Sequence, residues 1–391
     1  MPEFATLFRR CAVLMLEAQE RISYQPQDLI AGRLVPRVHT QWMALAPHLG
    51  EAIALEAAEI DALARCSSSQ WLPVHELGIA AETIDALCAK GLLLTQQPGD
   101  AAAQRDDILR GMHWKGLSAV AHLFSRWRGV DARAAERHLA AQGMALPADT
   151  PPPSVEASAV APALALPQPA DSALEQLLLA RTTCRNYADA PLRADQLGHV
   201  LQRSFGARAS GAFAAGLTLL KKGVPSAGGL HPVEALLLLR KVDGLACGLY
   251  RYHPVEHTLL LQQTLPQSEA DALALRFVAG QEYFAGAPVL LALTARFQRN
   301  FWKYREHAKA WRAVILDAGH LSQTLYLAAT ELQLGAFITA AVNEADIEQA
   351  FGLDPLQHGV IAVCGCGIPA RPDEVEFDPL GRAAGRPPSP A

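Results

Sequence analysis

Three short segments of the 391-residue chain hold the side chains best suited to chemistry. The first is Arg181-Thr182-Thr183-Cys184-Arg185. Side chains two residues apart share a face of an extended chain, so Arg181, Thr183 and Arg185 would present guanidinium, hydroxyl and guanidinium together. Forked N–H donors match phosphate oxygens and a hydroxyl adds a further donor. The row therefore suits a phosphate monoester beside the polar edge of a flat ring. A solvated arginine-rich loop would carry the same residues. The second segment is Gly223-Val224-Pro225-Ser226-Ala227-Gly228-Gly229-Leu230-His231-Pro232. Its paired glycines and flanking prolines force an irregular backbone, either an ordinary turn or one that a planar ligand can approach closely. Without a Lys-Ser/Thr ending or spaced dinucleotide glycines, it does not read as a nucleoside-triphosphate loop. The third segment is Phe301-Trp302-Lys303-Tyr304-Arg305. Lys303 and Tyr304 are suited to proton transfer if burial draws one pKa toward neutrality, and otherwise are a solvated Lys beside a packing Tyr.

The elements that would position these residues follow from hydrophobic period and turn chemistry. Apolar residues at helical spacing in 171–180 and 194–205 flank the arginine row, and VEALLLLRKV (233–242) reads as a strong strand after the glycine loop. Residues 247–263 read as a hairpin turning at His253–His257, and 287–295 as a buried strand. The stretch 311–335 is a long helix, apolar nearly all round, which must be buried centrally or at a subunit interface. Strands at 335–342 and 358–367 follow, so the class is α+β with a central, mainly antiparallel sheet. Residues 147–170, PADTPPPSVEASAVAPALALPQPA, read as a linker dividing 1–146 from 171–391. Before it, helices at 55–66 and 79–90, a stop at Gly91 and the strand LLLT outline a small winged-helix-like fold. Its candidate recognition helix, AETIDALCAK, has one Lys and no Arg, which favours a peptide-recognition or structural role over DNA binding. Segment 106–142 reads as an amphipathic helix packing Trp114 and Trp127.

Composition narrows the function classes. Half the residues are hydrophobic, ample for two cores, and the net charge of −5 with no long basic run argues against general nucleic-acid binding. No apolar stretch is long enough to span a bilayer, and the N-terminus lacks a clean signal cleavage site, so a cytoplasmic protein is expected. The seven cysteines are scattered. Only Cys364 and Cys366 are close, as C-x-C in an apolar run, which reads as buried free thiols and not as a metal site.

Taken together and in this order, the three segments resemble the nitroreductase-like, FMN-dependent dehydrogenases of thiazole/oxazole-modified peptide biosynthesis. This is the SagB-type group, and within it the peptide maturation dehydrogenases are most similar. The likeness covers about 171–370. The family's R-x-S-x-R flavin motif is matched by Arg181, Thr183 and Arg185, with Thr in place of Ser. Its P-S-A/G-G-G-L-x-P segment is matched at Pro225–Pro232, its Lys-Tyr pair by Lys303 and Tyr304, and its helix by 316–329. The resemblance implies FMN held by Arg181, Thr183, Arg185, Pro225, Ser226, Ala227 and Gly228, with Ile338, Thr339 and Ala340 near the reactive ring. It also implies a homodimer whose long helices pack together, with FMN at the interface. In place of the family's frequent Ile-Gly-Gly/Ala-Phe the chain has Ile338-Thr339-Ala340-Ala341, which alters the space over the ring; for the basic residue that often helps hold phosphate late in related domains, only Arg371 stands near, and it is left unassigned. The implied reaction is two-electron oxidation of a precursor peptide, azoline to azole, with hydride passing to the flavin and Lys303 or Tyr304 as base. An unshifted Lys, with a pKa of about 10.4, is a poor base at neutral pH, so this reading demands desolvation or a neighbouring cation. The implied partners are the precursor peptide and other peptide-modifying enzymes. Two other activities stay open: NAD(P)H-dependent reduction of dehydroamino acids or of nitro and quinone compounds, and a noncatalytic scaffold that recruits a precursor peptide.

Overall fold

The computed structural model describes residues 6–142, 151–155, 164–167, 169–371 and 374. Much of the Pro/Ala stretch, at 147–150, 156–163 and 168, lies outside the described residues. The chain forms two compact units. One is Met1–Arg126 with Arg296–Ala313 and Asp354–Gly359; the other is Trp127–Ala295 with Val314–Leu353 and Val360–Ala391. The division does not fall at the Pro/Ala stretch, which lies within the second unit. Aromatic packing explains why later segments join the first unit. Trp114 meets Phe297 and Phe301 edge-on at 4.6 Å between centroids, and His122 lies 4.9 Å from Phe297 and 5.0 Å from Trp311. Clustered aromatic rings bury a large apolar area, so these segments share one core. Trp114 Nε1 donates to the Leu356 carbonyl at 2.9 Å, and Arg105 pairs with Asp354 at 2.8 Å.

The first unit holds β1 (Leu7–Arg10), β2 (Met15–Ser23), β3 (Arg37–Leu45), β4 (Ala52–Leu55), β5 (Leu72–Pro73) and β6 (Leu93–Thr95). The sheet β5-β1-β6 is antiparallel, and its core includes Leu63, Ile84 and Leu87 from helices Ala57–Arg65 and Ala81–Ala89. These helices stand where apolar spacing placed them. The second sheet, β2-β3-β4, was not foreseen. Its strand MLEAQERIS mixes charge with apolar residues and is exposed along most of its length, so no alternation marks it. Segment 106–142 is not one helix. The helices Ala101–Gly111 and Gly116–Phe124 are separated by a turn carrying buried Trp114, and Ala132–Ala141 belongs to the second unit. Asp100 and Asp131 punctuate the segment by capping the first and last of these helices, accepting from Ala103 N at 2.9 Å and Ala134 N at 2.7 Å.

The second unit is built on β7 (Ala207–Ala214), β8 (Leu217–Lys222), β9 (Val233–Leu239), β10 (Gly248–His253), β11 (Thr258–Thr264), β12 (Val289–Arg296), β13 (Gly335–Thr339) and β14 (His358–Gly367). Six of them, among the described residues, form a sheet ordered β11-β10-β9-β12-β14-β13, in which β11/β10, β10/β9, β9/β12 and β13/β14 are antiparallel. Central β9 and β12 read as continuous apolar runs because both faces are covered. Leu236 opposes Ala292 and Leu238 opposes Leu290 in one buried cluster with Phe277, Phe284 and Phe337. The β7–β8 hairpin escaped the sequence reading, since ARASGAFA is rich in Ala and Gly and poor in strand formers. The long helix runs Ala310–Glu331. Within this chain it is not buried all round: Ile315, Leu316, Gly319, His320 and Gln323 form an exposed stripe. No helix among the described residues is long and apolar enough to cross a membrane. All seven cysteines are free thiols, and burial pushes the Cys366 thiol up to about 12.

Candidate functional site

The arginine row leaves the helix Ala173–Ala180, which Ser172 caps by accepting from Glu175 N at 3.1 Å. Thr183 then bridges Ala336 of β13, and Cys184 N donates to the Ala336 carbonyl at 2.9 Å. That close approach needs Gly335 bare, because a β-carbon there would lie 2.5 Å from the Cys184 side chain. The row is thereby fixed along the edge strand that ends at Ile338 and Thr339.

Tyr326 of the long helix joins the two. Its hydroxyl accepts from Ile338 N at 3.1 Å and lies 3.0 Å from Thr183 Oγ1, while the Arg181 guanidinium sits 5.3 Å from its ring centroid. Burial pushes its hydroxyl pKa up, so it stays a neutral donor. Arg185 lies over the rings of Phe284, at 5.7 Å, and Tyr283, at 6.0 Å; Phe284 in turn stacks on Phe337 at 4.0 Å. Thr339 is buried, and its hydroxyl contacts Gln281, which also donates to the Ala341 carbonyl at 2.8 Å. The Thr339 side chain is therefore committed to the protein, and Ala340 is exposed next to it.

The glycine loop is anchored to the same long helix. Ser226 Oγ donates to Asp317 at 2.5 Å and accepts from His231 N at 2.9 Å, and Ala227 N donates to Asp317 at 3.3 Å. Gly228 and Gly229 take φ of 63° and 68°, the left-handed region that glycine enters without strain. Asp317 is nearly buried. That burial raises its pKa above the ordinary 3.8, opposed by the donors from Ser226 and Ala227. Beside Thr183 lies a cavity of about 230 Å³, lined also by Thr182, Asn186, Gly335 and Arg371. Arg371 is brought there because its backbone N donates to Asn186 Oδ1 at 3.0 Å and Tyr187 bridges Pro369.

The second unit thus brings together Arg181, Thr183, Arg185, Ile338, Thr339 and Ala340, and holds the Pro225–Gly228 loop through the helix that also carries Tyr326. Lys303 and Tyr304 belong to the first unit. Lys303 is exposed, with its ammonium 5.5 Å from the Tyr304 ring centroid. Sequence reasoning gave no role to Asp317, Tyr326 or Gln281. A buried acid inside an apolar helix was the one available signal, because such a group must find donors.

Residues 178–368 match the nitroreductase family model. The chain is 31% identical over 184 residues to the nitroreductase MJ1384 of Methanocaldococcus jannaschii, covering 47% of this chain and 86% of that protein. It is 29% identical over 151 residues to the trifolitoxin-processing protein TfxB of Rhizobium leguminosarum bv. trifolii, covering 35% of this chain and about a third (36%) of that one. A solved Escherichia coli microcin synthetase McbBCD complex, with truncated pro-MccB17 bound, is similar at a TM-score of 0.47 and 16% identity, covering 67% of this chain and 92% of that one. With helices around a mainly antiparallel sheet, a family match over the arginine row and glycine loop, and identity spanning most of the archaeal protein, this α+β chain belongs to the nitroreductase family.

Proposed function

We propose that the chain binds FMN and performs a two-electron oxidation of a peptide during its maturation, azoline to azole in type. The observation that carries the flavin reading is the convergence of Arg181, Thr183 and Ile338 on Tyr326; of these, Thr183 also lines a cavity with Asn186 and the ion-paired Arg371 and Glu374. A cluster of hydroxyl and guanidinium donors of this size fits a phosphate monoester. FMN, when bound, would supply hydride acceptance. Arg181 and Thr183 would hold the phosphate. Arg185 would lie at the ring edge, and the backbone at Pro225, Ser226, Ala227, Gly228, Ile338, Thr339 and Ala340 would line the ring. Lys303 or Tyr304 would take the substrate proton, which requires the exposed Lys303 to lose water when substrate or a second protomer covers it.

Similarity to a trifolitoxin-processing protein supports a peptide substrate over a small nitro compound. The exposed stripe of Ile315, Leu316 and Gly319 supports a homodimer through the long helices. The first unit, with its small antiparallel sheet and a helix, Ala81–Ala89, that carries no Lys or Arg, is assigned to recognition of the precursor peptide or of partner enzymes. Purified protein should be yellow. Arg181→Ala with Arg185→Ala should release FMN, since each charge-assisted contact contributes about 1.5–3 kcal/mol. Flavin retained by the double variant through gel filtration would sink the assignment. With the precursor peptide, mass spectrometry should read a loss of about 2 Da per site. Flavin turnover with NAD(P)H and a nitro acceptor, and no change in peptide mass, would point instead to a reductase; a colourless protein would point to a scaffold.

A further inference from the structure

Tyr326 is nearly buried, and its hydroxyl has one proton and two neighbours. Ile338 N can only donate, so that contact uses a lone pair of the tyrosine oxygen. If Thr183 also donated to Tyr326, the tyrosine proton would be left unpaired in a buried place, at a cost a native site avoids. The arrangement that satisfies every group runs one way: Ile338 N–H to Tyr326 oxygen, then Tyr326 O–H to Thr183 Oγ1. The Thr183 hydroxyl has no other hydrogen bond among the described residues, and Thr183 lies at a cavity lined also by Asn186 and by the ion-paired Arg371 and Glu374. Its own proton is thus left for an acceptor outside this pair. The Tyr326 ring meanwhile holds the Arg181 guanidinium at 5.3 Å.

We infer that Tyr326 is the positioning residue of the phosphate row: its hydroxyl makes Thr183 an obligate donor toward an anion held by that row. This rests on the FMN reading. FMN and riboflavin differ at the phosphate, so paired titrations by flavin fluorescence separate an effect on anion recognition from one on folding. Tyr326→Phe keeps the ring under Arg181 and removes the hydroxyl, Thr183→Val removes the donor, and Thr183→Ser restores it. For FMN, Tyr326→Phe and Thr183→Val should each raise Kd about tenfold, and Thr183→Ser should stay near wild type. The double Phe/Val variant should be no weaker than the weaker single, because both act through one hydrogen bond. Riboflavin affinity should not move. Wild-type FMN affinity in Tyr326→Phe, equal weakening of both flavins, or multiplying effects in the double variant would overturn the inference. Wild-type protein that binds neither flavin would overturn the FMN reading instead, and inorganic phosphate then becomes the probe. A phosphate-induced rise in Tm confined to wild type and Thr183→Ser upholds the role of Tyr326, and equal rises in all variants defeat it.

Discussion

Lys303 and Tyr304 stand one bond pair apart in the chain, yet the structure gives each a different setting: Lys303 is exposed and Tyr304 half-buried. In the proposed reading neither holds the phosphate, a task given to Arg181 and Thr183. Lys303→Ala and Tyr304→Phe should therefore remain folded and yellow but lose about 10²–10⁴-fold in turnover, the usual cost of removing a positioned base. Single-turnover reduction of the flavin by substrate peptide checks this, and wild-type rates in both variants would remove them from the chemistry. Thr339 shows the limit of reading residues singly. The family resemblance implies a place for its backbone near the flavin ring, and the structure commits its hydroxyl to Gln281, 58 residues away.

Among the elements, the long helix does most of the positioning. Asp317 and Tyr326 lie nine residues apart, roughly 13 Å along the axis and on opposite sides. One holds the glycine loop and the other the arginine row and β13. Asp317→Ala should cost about 1–3 kcal/mol, because the Ser226 hydroxyl and the Ala227 amide lose their acceptor. Asp317→Asn tests the charge. Burial raises the folded-state pKa of Asp317, so the carboxyl's contribution is fully present below the ordinary 3.8 and is lost as pH rises through the raised value. Wild type should accordingly lose stability relative to the Asn variant on going from about pH 4 toward neutrality. Urea melts across that range would show it, and parallel pH profiles would refute it.

For the whole molecule, the Pro/Ala stretch pointed to a C-terminal half able to stand alone, but the chain returns to the first unit at Arg296–Ala313 and Asp354–Gly359. A fragment covering 171–391 would expose Phe297, Phe301 and Trp311, which pack with Trp114 and His122. We expect that fragment to be insoluble or to bind an apolar dye strongly, while full-length protein melts cooperatively. A soluble fragment that binds FMN and melts sharply would show that the returning segments are dispensable.

The sequence by itself determined β9, β12, β14, the β10–β11 hairpin and the long helix, because apolar period and turn residues act over a few positions. It also marked the arginine row and the glycine loop, whose chemistry is local: alternate side chains on an extended chain, and a left-handed backbone that glycine enters freely. Only the tertiary structure decided what these segments touch. Thr183 meets Tyr326 across 143 residues, and Ser226 meets Asp317 across 91. It likewise decided that Lys303 and Tyr304 fall in the compact unit begun by the N-terminal segment. A hydrogen bond or a ring contact at such separation leaves no periodic trace along the chain. The sequence can show that a buried polar side chain needs a partner, and only the packing of the sheet, helix and loops chooses which one.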